Sequence, residues 1–177
     1  MVYRIWVKVY RLEAPTNRSP SQMFKTSRIS YGGTAAIVTS MALISGLSAA
    51  DTTKPIVVTA LLIAALADNL TDALSVHIFQ ESEQLDQKDA VTGTITTFVT
   101  RLLLGVSFVP LVVLFPLAHA AKAAIVWGAL LLAILTYLVA RQRKVNPALE
   151  VVKHLFVASG VIIASTLIGH WIGAALI

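Results

Sequence analysis

The chain has 177 residues, of which 56% are hydrophobic and 13% are charged, and its mean hydropathy is +0.78. A soluble domain carries about 25% charged residues, so this composition predicts a polytopic integral membrane protein that contacts the lipid bilayer. The formal net charge of +5 does not indicate nucleic-acid binding, because the basic residues cluster at the ends of apolar runs. The absence of cysteine excludes disulfides and thiolate metal sites.

The first domain, residues 1–30, is predicted to be a basic amphipathic segment followed by a polar linker over residues 16–22. It lacks the uninterrupted apolar run and small-residue cleavage site of a signal peptide. On a helical wheel Arg4, Lys8 and Arg11 share one face and apolar residues share another, which suits a helix lying among lipid headgroups. A frayed basic tail is the alternative interpretation.

The second domain, residues 31–177, contains five apolar segments. Each is near or above the ~20 residues that cross a ~30 Å hydrocarbon layer as a helix. The predicted fold class is therefore all-α, with five transmembrane helices. Pro110 and Pro116 predict a kink in the third segment. The segments cover residues 32–50, 55–80, 91–117, 122–140 and 149–176.

The distribution of lysine and arginine predicts the orientation, because cytoplasmic loops are enriched in both. Six basic residues precede the first segment, and Arg141, Arg143 and Lys144 separate the fourth from the fifth. The first and third loops hold only Lys54 and Lys122. With five crossings the strongly basic regions fall on one side, so the N-terminus is predicted to be cytoplasmic and the C-terminus to lie on the opposite side.

Two aspartates lie within the second apolar segment. Asp68 is about 12 residues from either end, ~18 Å deep, and Asp72 is one turn closer to the cytoplasm. Ser75 falls on the same narrow face, Glu83 continues it into the next loop, and Asn69 borders it. A charge at the bilayer centre costs ~3 kcal/mol, so both aspartates are predicted to face protein, water or a partner.

Arg101 is the predicted charge partner of these aspartates. It lies about 10 residues into the third segment, ~15 Å deep, between the depths of Asp72 and Asp68. One interpretation is a buried cluster of Arg101 with both aspartates that only locks the second helix to the third. The other is a cation or proton site at which Arg101 competes with the ion. The two interpretations are compatible.

Several segments resemble the vacuolar iron transporter family. DALSVHIFQESE (72–83) looks like the end of that family's second helix, and TSMALISGL (39–47) is similar to the end of its first. FVTRLLLGVSFVPLVVLF (98–115) carries the Gly-x-x-x-x-Pro of its third helix, and residues 146–173 look like its fifth. The resemblance covers residues 28–177 in order. It implies a homodimeric transporter of iron or manganese.

The sequence departs from the family at its motif positions. Ala35 stands where the family has an aspartate, Val76 replaces a methionine and Gln80 replaces a glutamate. The family's long acidic metal-binding insertion is reduced to the short loop ESEQLDQKD. Asp68 and Asp72 are not motif positions. A divergent member is therefore predicted, in which these aspartates either substitute for the motif acids or serve another role.

The predicted site would bind a transported divalent cation, with proton coupling as an option and with no tightly bound cofactor. Fe²⁺ and Mn²⁺ accept carboxylate, carbonyl and water ligands, and Fe²⁺ tolerates thioether. Two carboxylates at i, i+4 with an adjacent amide supply about half of an octahedral shell. Thr34, Thr39 and Ser40 on the first helix could add hydroxyl oxygens. The predicted metal ligands are Asp68, Asp72, Asn69, Ser75, Glu83 and Met41, although a buried methionine is more often packing than a ligand.

The sequence does not predict an enzyme, because it has no Ser-His-Asp arrangement, phosphate-binding glycine loop or zinc motif. The alternative function is a non-transporting membrane scaffold or accessory subunit of a larger complex, whose Asp/Arg cluster is structural. Ser165, Gly169 and Gly173 form a small-residue stripe on the fifth helix. Such a stripe predicts either a homodimer contact or packing of that helix against its own bundle. A dimer contact through the first two helices would instead place the Asp68–Asp72 face near the two-fold axis.

Overall fold

The computed structural model describes residues 20–82 and 87–176, and every regular element in those ranges is an α-helix. The all-α prediction is confirmed. Most of the predicted amphipathic segment, and Glu83, lie outside the described residues. The helices are α1 (Pro20–Ala49), α2 (Lys54–Ser82), α3 (Gln87–Val106), α4 (Val109–Leu114), α5 (Leu117–Arg143) and α6 (Pro147–Leu176).

Four stretches of the described chain are long and apolar enough to cross a membrane, and a fifth is shorter. The protein is therefore a polytopic integral membrane protein. The shorter stretch, Gly33–Ala49, coincides with the first predicted segment. The four longer ones are Lys54–Ser75, Val91–Leu114, Leu117–Arg143 and Pro147–Ala175.

Two helix starts differ from prediction. α1 begins at Pro20, so residues 20–22 of the predicted linker are helical. Proline is favoured in the first turn, where a backbone N–H has no helical acceptor. α5 begins at Leu117, whereas the fourth predicted segment begins at residue 122. The Pro116 carbonyl accepts the first hydrogen bonds of that helix, and the following Leu and Ala residues are strong helix formers.

The kink predicted in the third segment is confirmed as a full break between α3 and α4. Pro110 lies in the first turn of α4 and has no N–H to donate to the preceding turn. Ser107 occupies the break, and its hydroxyl donates to the Leu104 carbonyl at 2.6 Å. The indole N–H of Trp127 on α5 donates to the same hydroxyl at 3.2 Å. The break is therefore held by a polar contact to a neighbouring helix.

α1 is the central helix of the bundle and contacts α2, α3, α5 and α6. Ile37, Met41 and Ile44 on α1 are fully buried, and Phe108 and Leu132 pack into the same core. The outer helices carry the large exposed apolar residues. In the most apolar stretch of α6 only 6% of the residues are buried, against 28% in each of the other three long spans. α6 therefore presents the most surface to lipid.

The small-residue stripe on α6 packs against α1 of the same chain. Gly169 is buried directly on the backbone of Gly46, and the Ser165 hydroxyl donates to the Ala42 carbonyl at 2.6 Å. Gly173 lies against Ala50. The intramolecular alternative is therefore the one the structure realises, and the stripe is not available as a dimer contact.

Candidate functional site

α2 and α3 pack as antiparallel helices through facing rows of buried residues, mostly small ones on α3. The buried positions recur every fourth residue on each helix, which is the spacing of one helical face. Small residues allow two helix backbones to approach closely in lipid. Each row also contains a buried side chain that can form hydrogen bonds across the interface, Asn69 on α2 and Arg101 on α3. The rows are Val57, Leu61, Ala65, Asn69 and Ala73 on α2, and Gly93, Thr97, Arg101 and Gly105 on α3.

Arg101 lies between the two helices with its side chain 4% exposed. Its Nε donates to Asn69 Oδ1 at 2.7 Å, and its Nη1 lies 2.5 Å from Asp72 Oδ2. The Asn69 amide in turn donates to the Ala65 carbonyl. A buried guanidinium is costly unless it is paired and hydrogen-bonded, and these contacts provide both. The predicted depth match between Arg101 and the α2 aspartates is confirmed at Asp72.

Asp68 is not part of this ion pair, so the predicted cluster of Arg101 with both aspartates is wrong in that respect. Asn69 and Asp72 stand three residues apart and flank the guanidinium. Asp68 is rotated by about 100° from Asn69 around the helix and makes no ion pair with Arg101, although both side chains line one small recess. Within residues 20–82 and 87–176, no side chain pairs with the Asp68 carboxylate.

Asp68 borders a small recess between α1, α2 and α3. The recess has a volume of about 10 Å³, close to the space that one water molecule requires. The hydroxyl-bearing residues Thr39 and Ser40 of α1 line it opposite the α2 residues. The small residues Ala36, Ala64 and Gly105 leave the space open. The complete lining is Ala36, Thr39, Ser40, Ala64, Ala65, Asp68, Asn69, Arg101 and Gly105.

The charges of the site do not cancel. Asp72 is paired with Arg101, and Asp68 is left without a cationic partner inside the membrane span Lys54–Ser75, nearer to its Ser75 end. The polar atoms that α1 contributes beside Asp68 are the hydroxyl oxygens of Thr39 and Ser40. The recess therefore offers oxygen ligands of the kind that Mg²⁺, Ca²⁺ and Mn²⁺ accept. A cation or a proton at Asp68 would bring the net charge of the site toward zero.

Other predicted ligands lie elsewhere. Met41 is 1% exposed and packs in the core, where its sulfur contacts Gly128 of α5. It does not line the recess, so the structure does not bring Met41 together with Asp68. Ser75 is exposed and its hydroxyl donates to the Thr71 carbonyl at 2.9 Å, outside the recess. Thr34 does not line the recess either.

Asn69 has a role that sequence reasoning missed. Its amide oxygen accepts from Arg101 and its amide nitrogen donates to the Ala65 carbonyl, so it positions the guanidinium. The spacing of three residues between Asn69 and Asp72 is the signal that could have revealed this pairing. In the described part of the chain, no group of three or more His, Cys, Asp or Glu residues is arranged to hold a metal ion.

Comparison with known proteins gives no match. No protein-family model matches the chain, and neither the curated proteins nor the solved structures contain a match to it. The resemblance to vacuolar iron transporters therefore stays a prediction from the residues of this sequence.

Proposed function

We propose that the protein transports a small cation across its membrane and that Asp68 is the residue that binds it. The observation that supports this is the uncompensated Asp68 carboxylate beside a recess in a membrane span. Intramembrane ionisable residues most often mark ion or proton pathways. The sequence resemblance favours a divalent metal, iron or manganese, as the transported ion. Asp68 could carry that ion and a proton in turn, which would couple the two.

The Arg101–Asp72 pair has a distinct part in this proposal. It neutralises one carboxylate and holds α2 to α3, so that Asp68 alone carries the charge of the site. Asp72→Asn would release the Arg101 guanidinium, which could then pair with Asp68 and block the cation. The orientation with a cytoplasmic N-terminus is also part of the proposal. The basic α5–α6 turn supports it.

Asp68→Asn is expected to reduce metal flux to the level of liposomes without protein, because the amide removes the charge that attracts the cation. Flux of Fe²⁺ and Mn²⁺ into proteoliposomes loaded with a metal-quenched dye measures this. Asp51→Asn is the matched control, since it is the same substitution in the α1–α2 turn. Its backbone φ of 52° is one that asparagine adopts readily. Normal flux in Asp68→Asn, or none in the unmodified protein, would contradict the proposal.

A second copy of the chain is proposed to cover the Asp68 face. Ala67, Asp68, Thr71 and Ser75 form a small and polar stripe on α2 that is exposed in the single chain. A carboxylate facing lipid at this depth would cost ~3 kcal/mol or more. Small and polar stripes allow close helix contacts in membranes. The homodimer is therefore assigned to α2 and not to α6.

Cross-linking tests this dimer in native membranes, because the chain has no cysteine of its own. Ser75→Cys is expected to give a covalent dimer with a short bifunctional thiol reagent. Leu70→Cys is the control, since Leu70 is also exposed on α2 but lies about 140° around the helix from Ser75. Equal cross-linking at both positions, or monomer at both, would rule out the α2 contact.

The alternative function is a non-transporting scaffold or accessory subunit of a membrane complex. The closed network of Arg101, Asn69 and Asp72 favours it, because such a network can lock two helices without binding anything. The flux experiment separates the two. A scaffold would show no metal flux in any variant. A transporter would lose flux in Asp68→Asn and keep it in the control Asp51→Asn.

A further inference from the structure

The turn between α5 and α6 carries an excess of positive charge. Lys153 is paired with Glu150, with 2.9 Å between Nζ and Oε1. Arg141, Arg143 and Lys144 are exposed, and none of them has an acidic partner within 4.0 Å in the described part of the chain. Three cationic side chains are therefore concentrated in four residues at the end of a membrane span.

The backbone keeps these three side chains in one turn. Lys144 ends α5 in the left-handed conformation, with φ 57°, and its N–H bonds to the Arg141 carbonyl at 3.3 Å. The chain then enters α6 directly at Pro147. The first N–H groups of α6 are already occupied, because the Asn146 side chain accepts from the Ala148 N–H at 3.1 Å. The side chains of the turn, and not the helix end, are thus the available anion-binding groups.

An exposed apolar stripe on α5 leads away from this turn. Trp127, Leu130, Ile134 and Tyr137 are spaced by three, four and three residues, and Arg141 follows four residues later. Tyr137 and Trp127 are separated by about 15 Å along the axis, which is one half of a ~30 Å hydrocarbon layer. The Arg141 guanidinium lies 5.8 Å from the centre of the Tyr137 ring. The aromatic ring thus joins the charged turn to the apolar stripe.

We propose that this surface binds an anionic glycerophospholipid. The phosphate would contact Arg141, Arg143 and Lys144, and an acyl chain would lie along the α5 stripe from Tyr137 to Trp127. Guanidinium groups match phosphate oxygens through paired hydrogen bonds. A headgroup with net negative charge is preferred over a zwitterionic one, whose own cation would compete. This inference does not depend on the proposed transport.

Tryptophan quenching by brominated lipid tests the proposal in the full-length protein. Trp6→Phe and Trp171→Phe leave Trp127 as the single fluorophore, at the inner end of the stripe. The protein is reconstituted in vesicles of phosphatidylcholine with increasing fractions of brominated phosphatidylglycerol, or of brominated phosphatidylcholine. The anionic lipid is expected to quench Trp127 at a lower mole fraction than the zwitterionic lipid.

The charge variants decide the interpretation. Each of Arg141→Gln and Arg143→Gln is expected to weaken the preference for the anionic lipid by about fivefold. Lys122→Gln removes one positive charge at the other end of α5 and is expected to leave the preference for the anionic lipid unchanged. Excess inorganic phosphate should not displace the lipid, because it cannot occupy the apolar stripe. Equal quenching by both lipids, equal losses in Arg141→Gln and Lys122→Gln, or displacement by phosphate would each overturn the proposal.

Discussion

Arg101→Ala is expected to lower the free energy of unfolding by up to about 3–5 kcal/mol, the cost of breaking a fully buried ion pair, because the Arg101 side chain is 4% exposed although that of Asp72 is 38% exposed. The substitution would leave the Asp72 carboxylate without its cation and the Asn69 amide oxygen without its donor. It would also leave a cavity between α2 and α3 in the position of a side chain that is 4% exposed. Thermal unfolding of the purified protein in mild detergent measures the loss.

A double-mutant cycle identifies which carboxylate is coupled to Arg101. Adding Asp72→Asn to Arg101→Ala is expected to restore part of the lost stability, because the uncompensated charge is removed with it. Adding Asp68→Asn is expected to restore less stability than adding Asp72→Asn, since Asp68 lines the same recess as Arg101 but makes no ion pair with the guanidinium. Lys122→Ala controls for the loss of an exposed positive charge. The reverse result, with coupling to Asp68 and additivity with Asp72, would show that the described pairing is incorrect.

Gly169→Ala is expected to be the most damaging single-methyl substitution on α6. The added methyl group would overlap the carbonyl oxygen of Gly46 and come within 3.0 Å of the Ala49 Cβ. The overlapping atom belongs to the backbone of a central helix and cannot rotate away. Overpacking costs typically 1–3 kcal/mol, and alanine regains up to about 1 kcal/mol over glycine within a helix. A net loss of about 1–2 kcal/mol is expected from thermal unfolding in detergent.

Gly160→Ala is the matched control on the same helix. A methyl group at Gly160 would meet no other atom within 4 Å, so only the gain in helix propensity applies. This variant is expected to be neutral or more stable by up to about 1 kcal/mol. If the two variants lost equal stability, the close packing of α6 on α1 would not be the cause of either effect.

Local chain properties determined the membrane architecture. Apolar segments near the length of a bilayer crossing predicted every described span, and Pro110 predicted the break between α3 and α4, because a missing N–H acts within its own helix. The depth of Arg101 could also be predicted. Helical rise is constant, and two helices joined by a short loop must run antiparallel, so counting residues from the loop placed Arg101 beside the α2 aspartates.

Which side chains meet was decided only by the tertiary structure. A helical wheel places Asp68, Asn69 and Asp72 relative to one another. It does not give the rotation of α2 about its own axis, which decides the face that α2 turns toward α3. A rotation of some tens of degrees would exchange Asp68 for Asn69 as the partner of Arg101. The same reason explains Met41, which lies on the α5 side of α1. It also explains the α6 stripe, because small residues favour close helix contact without specifying the helix that makes it, and α1 of the same chain occupies that surface.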